Sequence, residues 1–150
     1  VRAGVAQSSG QEASRPLEQA LKQFIKEPCG TITVGEMPEH VMRCLSAGVP
    51  EVKLSAETLA KQQRHHPELT MQDYIAAAQL VRDPTVVLVG RPNHVLLLRR
   101  GGNVLLGVVK ATLARDENFL VSLRIANGKG LARLLHNHVI FCGDPADLTE

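Results

Sequence analysis

The sequence holds no tryptophan, one tyrosine and three phenylalanines in 150 residues. A core built from it is aliphatic, and RNA recognition by rows of stacked aromatics is not expected. Cys29, Cys44 and Cys142 are an odd number without C-x-x-C spacing. They read as reduced thiols of a cytoplasmic protein, not a disulfide frame or a zinc site. No apolar run approaches the ~20 residues of a membrane span, and the opening V-R-A-G-V-A-Q-S-S-G-Q-E has no signal-peptide core. There is no G-x-S-x-G elbow and no G-x-x-x-x-G-K-[ST] phosphate loop, which disfavours a hydrolase elbow or a nucleotide cradle.

What is present is a domain-sized chain that is 44% hydrophobic, enough for one core. The net charge of +2 conceals an asymmetry. Up to position 90 there are nine Lys and Arg against ten acids; residues 91–143 hold eight against two; the tail from Asp144 carries only acids. A local basic region points to an anionic partner.

Residues 1–14 are small and polar and read as a flexible leader. Residues 15–50 form an N-terminal extension: a helix with the stripe Leu17, Leu21, Phe24 and Ile25, a strand from Thr31, and a helix ending at Gly48. Residues 51–143 form the main domain, and 144–150 an acidic tail. Ser55 caps a helix from Ala56 to His65, and Thr70 starts another that ends at Asp83-Pro84. From Thr85 the period changes to that of strands, with Gly101-Gly102 as a turn and a short helix from Leu131. The expectation is an α+β fold, its N-terminal helices packed on a curved four- to five-stranded antiparallel sheet with the other face free.

The chemistry concentrates in a hairpin, Asn103 to Ala126, with its tip at Arg115-Asp116-Glu117-Asn118. Lys110 and Thr112 interrupt the first apolar run at period two; Ser122 and Arg124 interrupt the second. A three-residue loop with Asn118 left-handed would set Thr112 opposite Ser122 and Lys110 opposite Arg124, two cations that ask for a phosphate between them. A four-residue loop would turn Lys110 and Arg124 to opposite faces. A solvated sheet face is the plain alternative. His65 and His66 end the Ala56 helix as acid–base candidates, a position the helix dipole also favours for basic residues. Lys61 shares the helix face of His65, Arg64 adjoins it, and Lys129 adds a cation in Gly128-Lys129-Gly130. His136-Asn137-His138 lacks a carboxylate or second cysteine at ligand spacing, so neither metal nor cofactor is expected.

Taken in order, Val52-x-Leu54-Ser55, Lys61, H-P-E-L at 66–69, Asp73-Tyr74, D-P-T-V-V-L, V-V-K-A-T and F-L-V-S-L-R resemble the phage-associated nuclease domains of the barnase/EndoU/colicin/RelE-like ribonuclease superfamily. The resemblance spans Val52 to Ala126. It implies a metal-independent endoribonuclease of phage or toxin origin, acting in the bacterial cytoplasm or on the virion. RNA is the implied partner, with a cognate inhibitor or immunity protein or a phage head protein. It implies His66 as the acid–base group with His65 as its alternate, Lys61 or Arg64 in support, and Lys110, Thr112, Ser122 and Arg124 around the scissile phosphate. The alternative from another class is a non-catalytic virion or protein-interaction module on the same fold.

Overall fold

A computed structural model describes residues 15–149; the expected leader, Val1 to Ser14, lies outside them, as does Glu150. Helix α1, residues 15–26, turns Leu21 and Phe24 inward. Then come β1 (Thr31–Glu36), α2 (Glu39–Leu45), β2 (Glu51–Ser55), α3 (Ala56–His65) and α4 (Met71–Arg82). Strands β3 (Val86–Val89), β4 (His94–Arg100), β5 (Val104–Ala111) and β6 (Asn118–Ile125) follow, then α5 (Gly128–Asn137), β7 (Ile140–Cys142) and a 3-10 turn, Pro145–Leu148. The helix starts are chemically fixed. Ser55 Oγ accepts from the Thr58 N–H at 3.1 Å, and Thr70 with Asp73 forms a reciprocal capping box. Among the described residues no helix is long and apolar enough to cross a membrane.

The fold is α+β, but the sheet has seven strands in the order β1-β2-β6-β5-β4-β3-β7, against the four or five expected. It is also mixed: β2 runs parallel to β6, meeting it at Lys53 and Phe119. Strands β1 and β2 are short and half-polar; β2 joins the sheet at the edge of β6, and β1 pairs with β2 as the outermost strand. Helices lie on both faces. The core that includes Leu21, Val41, Leu59 and Leu80 packs with Leu97, Val109 and Leu120 on one face. Leu131, Leu134 and Leu148 pack with Leu88, Leu98 and Leu106 on the other. Strands β3 to β5 are buried on both sides, which is why they read as unbroken apolar runs.

The hairpin departs from both expected registers. Ala111 pairs with Asn118 and Lys110 with Phe119, while Thr112 N–H donates to the Glu117 carbonyl at 2.9 Å. The tip is therefore Leu113 to Asp116, and Arg115, not Asn118, adopts the left-handed conformation at φ 64°. A bulge then shifts the register by one, so that Ser122 lies opposite Val108 and Arg124 opposite Leu106. The β4–β5 turn is also longer than expected: Arg100 pairs with Val104, leaving Asn103 in the turn with the two glycines.

Candidate nucleic-acid groove

Strand β2 pairs with β6 at one position only because the chain turns into α3 at Ser55. Beyond it the β6 edge is taken over by a side chain. The Nε2 of Gln62 donates to the Leu123 carbonyl, and the Leu123 N–H donates to Gln62 Oε1 at 3.3 Å. Gln62 is 8% exposed. Its amide does for β6 what another strand would.

This clip holds α3 along the hairpin and leaves a groove between them. One part, of about 470 Å³, is lined by Thr58, Lys61, Gln62, His65, His66, Val121 and Ser122. The next, of about 280 Å³, is lined by Ser55, Thr58, Lys110, Thr112, Phe119 and Val121. Thr58 and Val121 belong to both, so the two depressions adjoin. Lys61, His65, His66, Lys110, Thr112 and Ser122 thus line one surface; Arg64, Arg124 and Lys129 are exposed but line neither depression. A separate depression of about 270 Å³, between α4 and the β4–β5 turn, contains none of the predicted residues.

The bulge sets the spacing of the polar groups. Lys110, Ser122 and Arg124 share a face, but Arg124 is opposite Leu106, four residues along β5 from Lys110, or ~13 Å at the rise of a strand. They cannot clamp one phosphate as cross-strand neighbours. The actual cross-strand neighbours of Lys110 are Phe119 on β6 and His94 on β4. Thr112 does not face Ser122 either: its hydroxyl donates to Asp116 Oδ1 at 2.9 Å and accepts from the Glu117 N–H at 3.3 Å. That hydroxyl fastens the turn.

Among the described residues three histidine rings are held by a hydrogen bond; His138 Nδ1 lies 2.9 Å from the Leu134 carbonyl, away from the groove, and the other two adjoin it. His66 Nδ1 lies 3.2 Å from Glu68 Oε2, and His94 Nδ1 lies 2.9 Å from the Pro92 carbonyl. Carboxylate and carbonyl oxygens accept, so Nδ1 carries hydrogen in both contacts and Nε2 is left for chemistry. The ion pairs of the described residues are Lys53–Glu117, His66–Glu68 and Arg99–Asp83. Lys61, Lys110 and Arg124 have no carboxylate among the described residues, which leaves their charge for an outside anion.

The hairpin tip is anchored from below. The Gly48 N–H donates to the Arg115 carbonyl at 3.0 Å, and Asn118 Nδ2 donates to the Val49 and Glu51 carbonyls at 2.7 and 2.9 Å. Lys53 closes on Glu117 at 3.0 Å. Tyr74, noted beside Asp73 in the sequence, lies in the core. Its phenol pKa is raised by burial, then by Asp73 and Glu68. Burial likewise pushes up the thiols of Cys44 and Cys142, Cys44 also through Cys142, so neither is held as a reactive thiolate. Among the described residues no three His, Cys, Asp or Glu side chains gather to hold a metal ion. No family model, curated protein or solved structure matches this chain.

Thr58, Gln62 and Phe119, which line the groove, and Glu68 and His94, which partner His66 and Lys110, are residues that the sequence pattern missed. For His94 and Phe119 the signal is the pairing with Lys110, which needs the register. For Gln62 it is a lone amide on an otherwise apolar helix face, beside Leu59.

Proposed function

We propose that the groove between α3 and the β5–β6 hairpin is the active site of an endoribonuclease that cleaves RNA by attack of a 2′-hydroxyl on the neighbouring phosphodiester. The supporting observation is the adjacency of the two depressions, which puts His65, His66 and Lys61 on the same surface as Lys110. His66, oriented by Glu68, takes the 2′-hydroxyl proton as the O2′–P bond forms. A proton returns to the departing 5′-oxygen as the P–O5′ bond breaks, leaving a 2′,3′-cyclic phosphate and a 5′-hydroxyl. Lys110 stabilises the charge that builds on the phosphorane oxygens. Arg124, too far along the strand to share that phosphate, holds another, and Ser122 offers a hydroxyl between them. Thr112 positions Lys110 by closing the turn. The phage or toxin setting implied by the sequence resemblance belongs to this reading.

The test is digestion of total RNA in EDTA by the wild type, His66→Ala and Lys110→Ala. Cleavage by the wild type with a loss on the order of 100-fold in each variant is expected. Equal degradation by all three, or none by any at micromolar protein, overturns the reading. A protein-interaction module is the second reading, favoured by the exposed Val139 (70%), Ile140 and Phe141 at the β7 edge; it predicts no cleavage by any of the three.

A further inference from the structure

We propose that the smaller depression is a nucleobase subsite, in which Phe119 stacks an unpaired base of single-stranded RNA while Lys110 holds the adjoining phosphate. The inference rests on the groove being an RNA site and goes beyond it by naming what part of the RNA enters and in which state.

Five observations carry it. Phe119 is the direct cross-strand partner of Lys110, so ring and ammonium stand side by side on one face, as base and phosphate do in a nucleotide. Phe119 is only half-buried and lines the depression; a phenylalanine with no site to serve would be expected deeper inside a chain this poor in aromatics. Its backbone is held in place, because β6 is paired at this residue on both sides, with Lys53 and with Lys110. Only two side-chain torsions are left to settle when a base stacks on the ring. The polar rim supplies a donor: Ser55 Oγ gives its hydrogen to Thr58 Oγ1 at 3.0 Å, which leaves the Thr58 hydroxyl hydrogen for a base oxygen or nitrogen. The volume of about 280 Å³ falls just below the ~300 Å³ at which pockets for larger ligands begin, a size suited to one base.

A base reaches such a platform only if it is unstacked, so paired RNA is excluded. The measurement is fluorescence anisotropy with a fully 2′-O-methylated octanucleotide, which lacks the nucleophile and cannot be cleaved, as a single strand and annealed to its complement. The wild type binds the single strand more tightly than the duplex. Phe119→Leu weakens single-strand binding roughly 5- to 150-fold, the range for losing one base–aromatic stack, and leaves the slope of log K against log salt unchanged. Phe119→Trp restores binding. Lys110→Ala lowers that slope by about 0.7, the value for one phosphate of a single strand. Circular dichroism melts establish that each variant is folded. If Phe119→Leu binds like the wild type while Lys110→Ala loses affinity and slope, the RNA reading stands and the base subsite is wrong. If neither substitution changes binding, or duplex binds as well as single strand, the groove does not read bases, and in the first case the ribonuclease reading falls with it.

Discussion

Replacing Gln62 by methionine keeps the volume of the side chain and removes both hydrogen bonds to β6. The N–H and carbonyl of Leu123 are then left beside an apolar group in a buried setting, Leu123 being 1% exposed. Each such unsatisfied group costs ~1–3 kcal/mol, so the variant should lose about 2–6 kcal/mol. In a domain of this size each kcal/mol moves the midpoint by ~2–4 °C, giving a drop of roughly 4–24 °C by calorimetry. Gln62→Glu adds a pH signature. The carboxylate still accepts from the Leu123 N–H but faces the Leu123 carbonyl without a hydrogen, and burial raises its folded pKa above the unfolded value of about 4.3. The folded state then binds more protons than the unfolded one, so stability falls as pH rises from about 4 through the raised pKa. Below that window the protonated acid donates to the carbonyl, and the variant approaches wild type. A Gln62→Met melt within ~2 °C of wild type would show that water, not the amide, satisfies the β6 edge. A Gln62→Glu deficit that does not change with pH would refute the facing carbonyl.

Two further substitutions test the anchor of the hairpin. Asn118→Leu deletes the donor to both Val49 and Glu51 carbonyls in a residue that is 0% exposed, and should cost about 2–4 kcal/mol in urea unfolding; a change under ~0.5 kcal/mol would mean that the loop moves away at no cost. Gly48→Ala places a Cβ 2.5 Å from the Arg115 carbonyl oxygen, so the tip must move and stability should fall by ~1–3 kcal/mol. Faster amide exchange of Thr112 and Arg115 in that variant checks the cause, and unchanged exchange there would contradict it.

Where local chemistry decides an element, the sequence is a good guide. Ser55 and Thr70 announce their helices by their capping hydroxyls, and β3 to β5 announce themselves by apolar runs. Lys110 and Ser122 stand out by parity alone. What escapes is whatever depends on a partner distant in sequence. The parallel contact of β2 with β6 rests on one residue pair, and the Gln62 clip spans 61 positions. No window of local sequence contains either. The face opposite the N-terminal helices was expected to be free, yet α5 and the C-terminal turn cover much of it. Their leucines, Leu131, Leu134 and Leu148, find their partners only when β3 and β4 are already in place.

The bulge in β6 is an intermediate case, and it decides the site. An even connection between β5 and β6 would put Lys110 and Arg124 on opposite faces of a regular hairpin, and the connection here is even. If the pairing of Lys110 with Phe119 ran on unbroken, Ser122 would fall opposite Gly107 and Arg124 opposite Leu105. Both would enter the core under α4, where an unpaired guanidinium costs several kcal/mol. Leu120 and Leu123 impose the alternative. They are 2% and 1% exposed and belong to the same core, yet they are an odd number of residues apart, and a regular strand cannot turn both to one face. One extra residue, Val121, resolves the conflict. The same shift that buries Leu123 returns Ser122 and Arg124 to the face of Lys110, so hydrophobic burial on one side of the strand assembles the polar groups on the other.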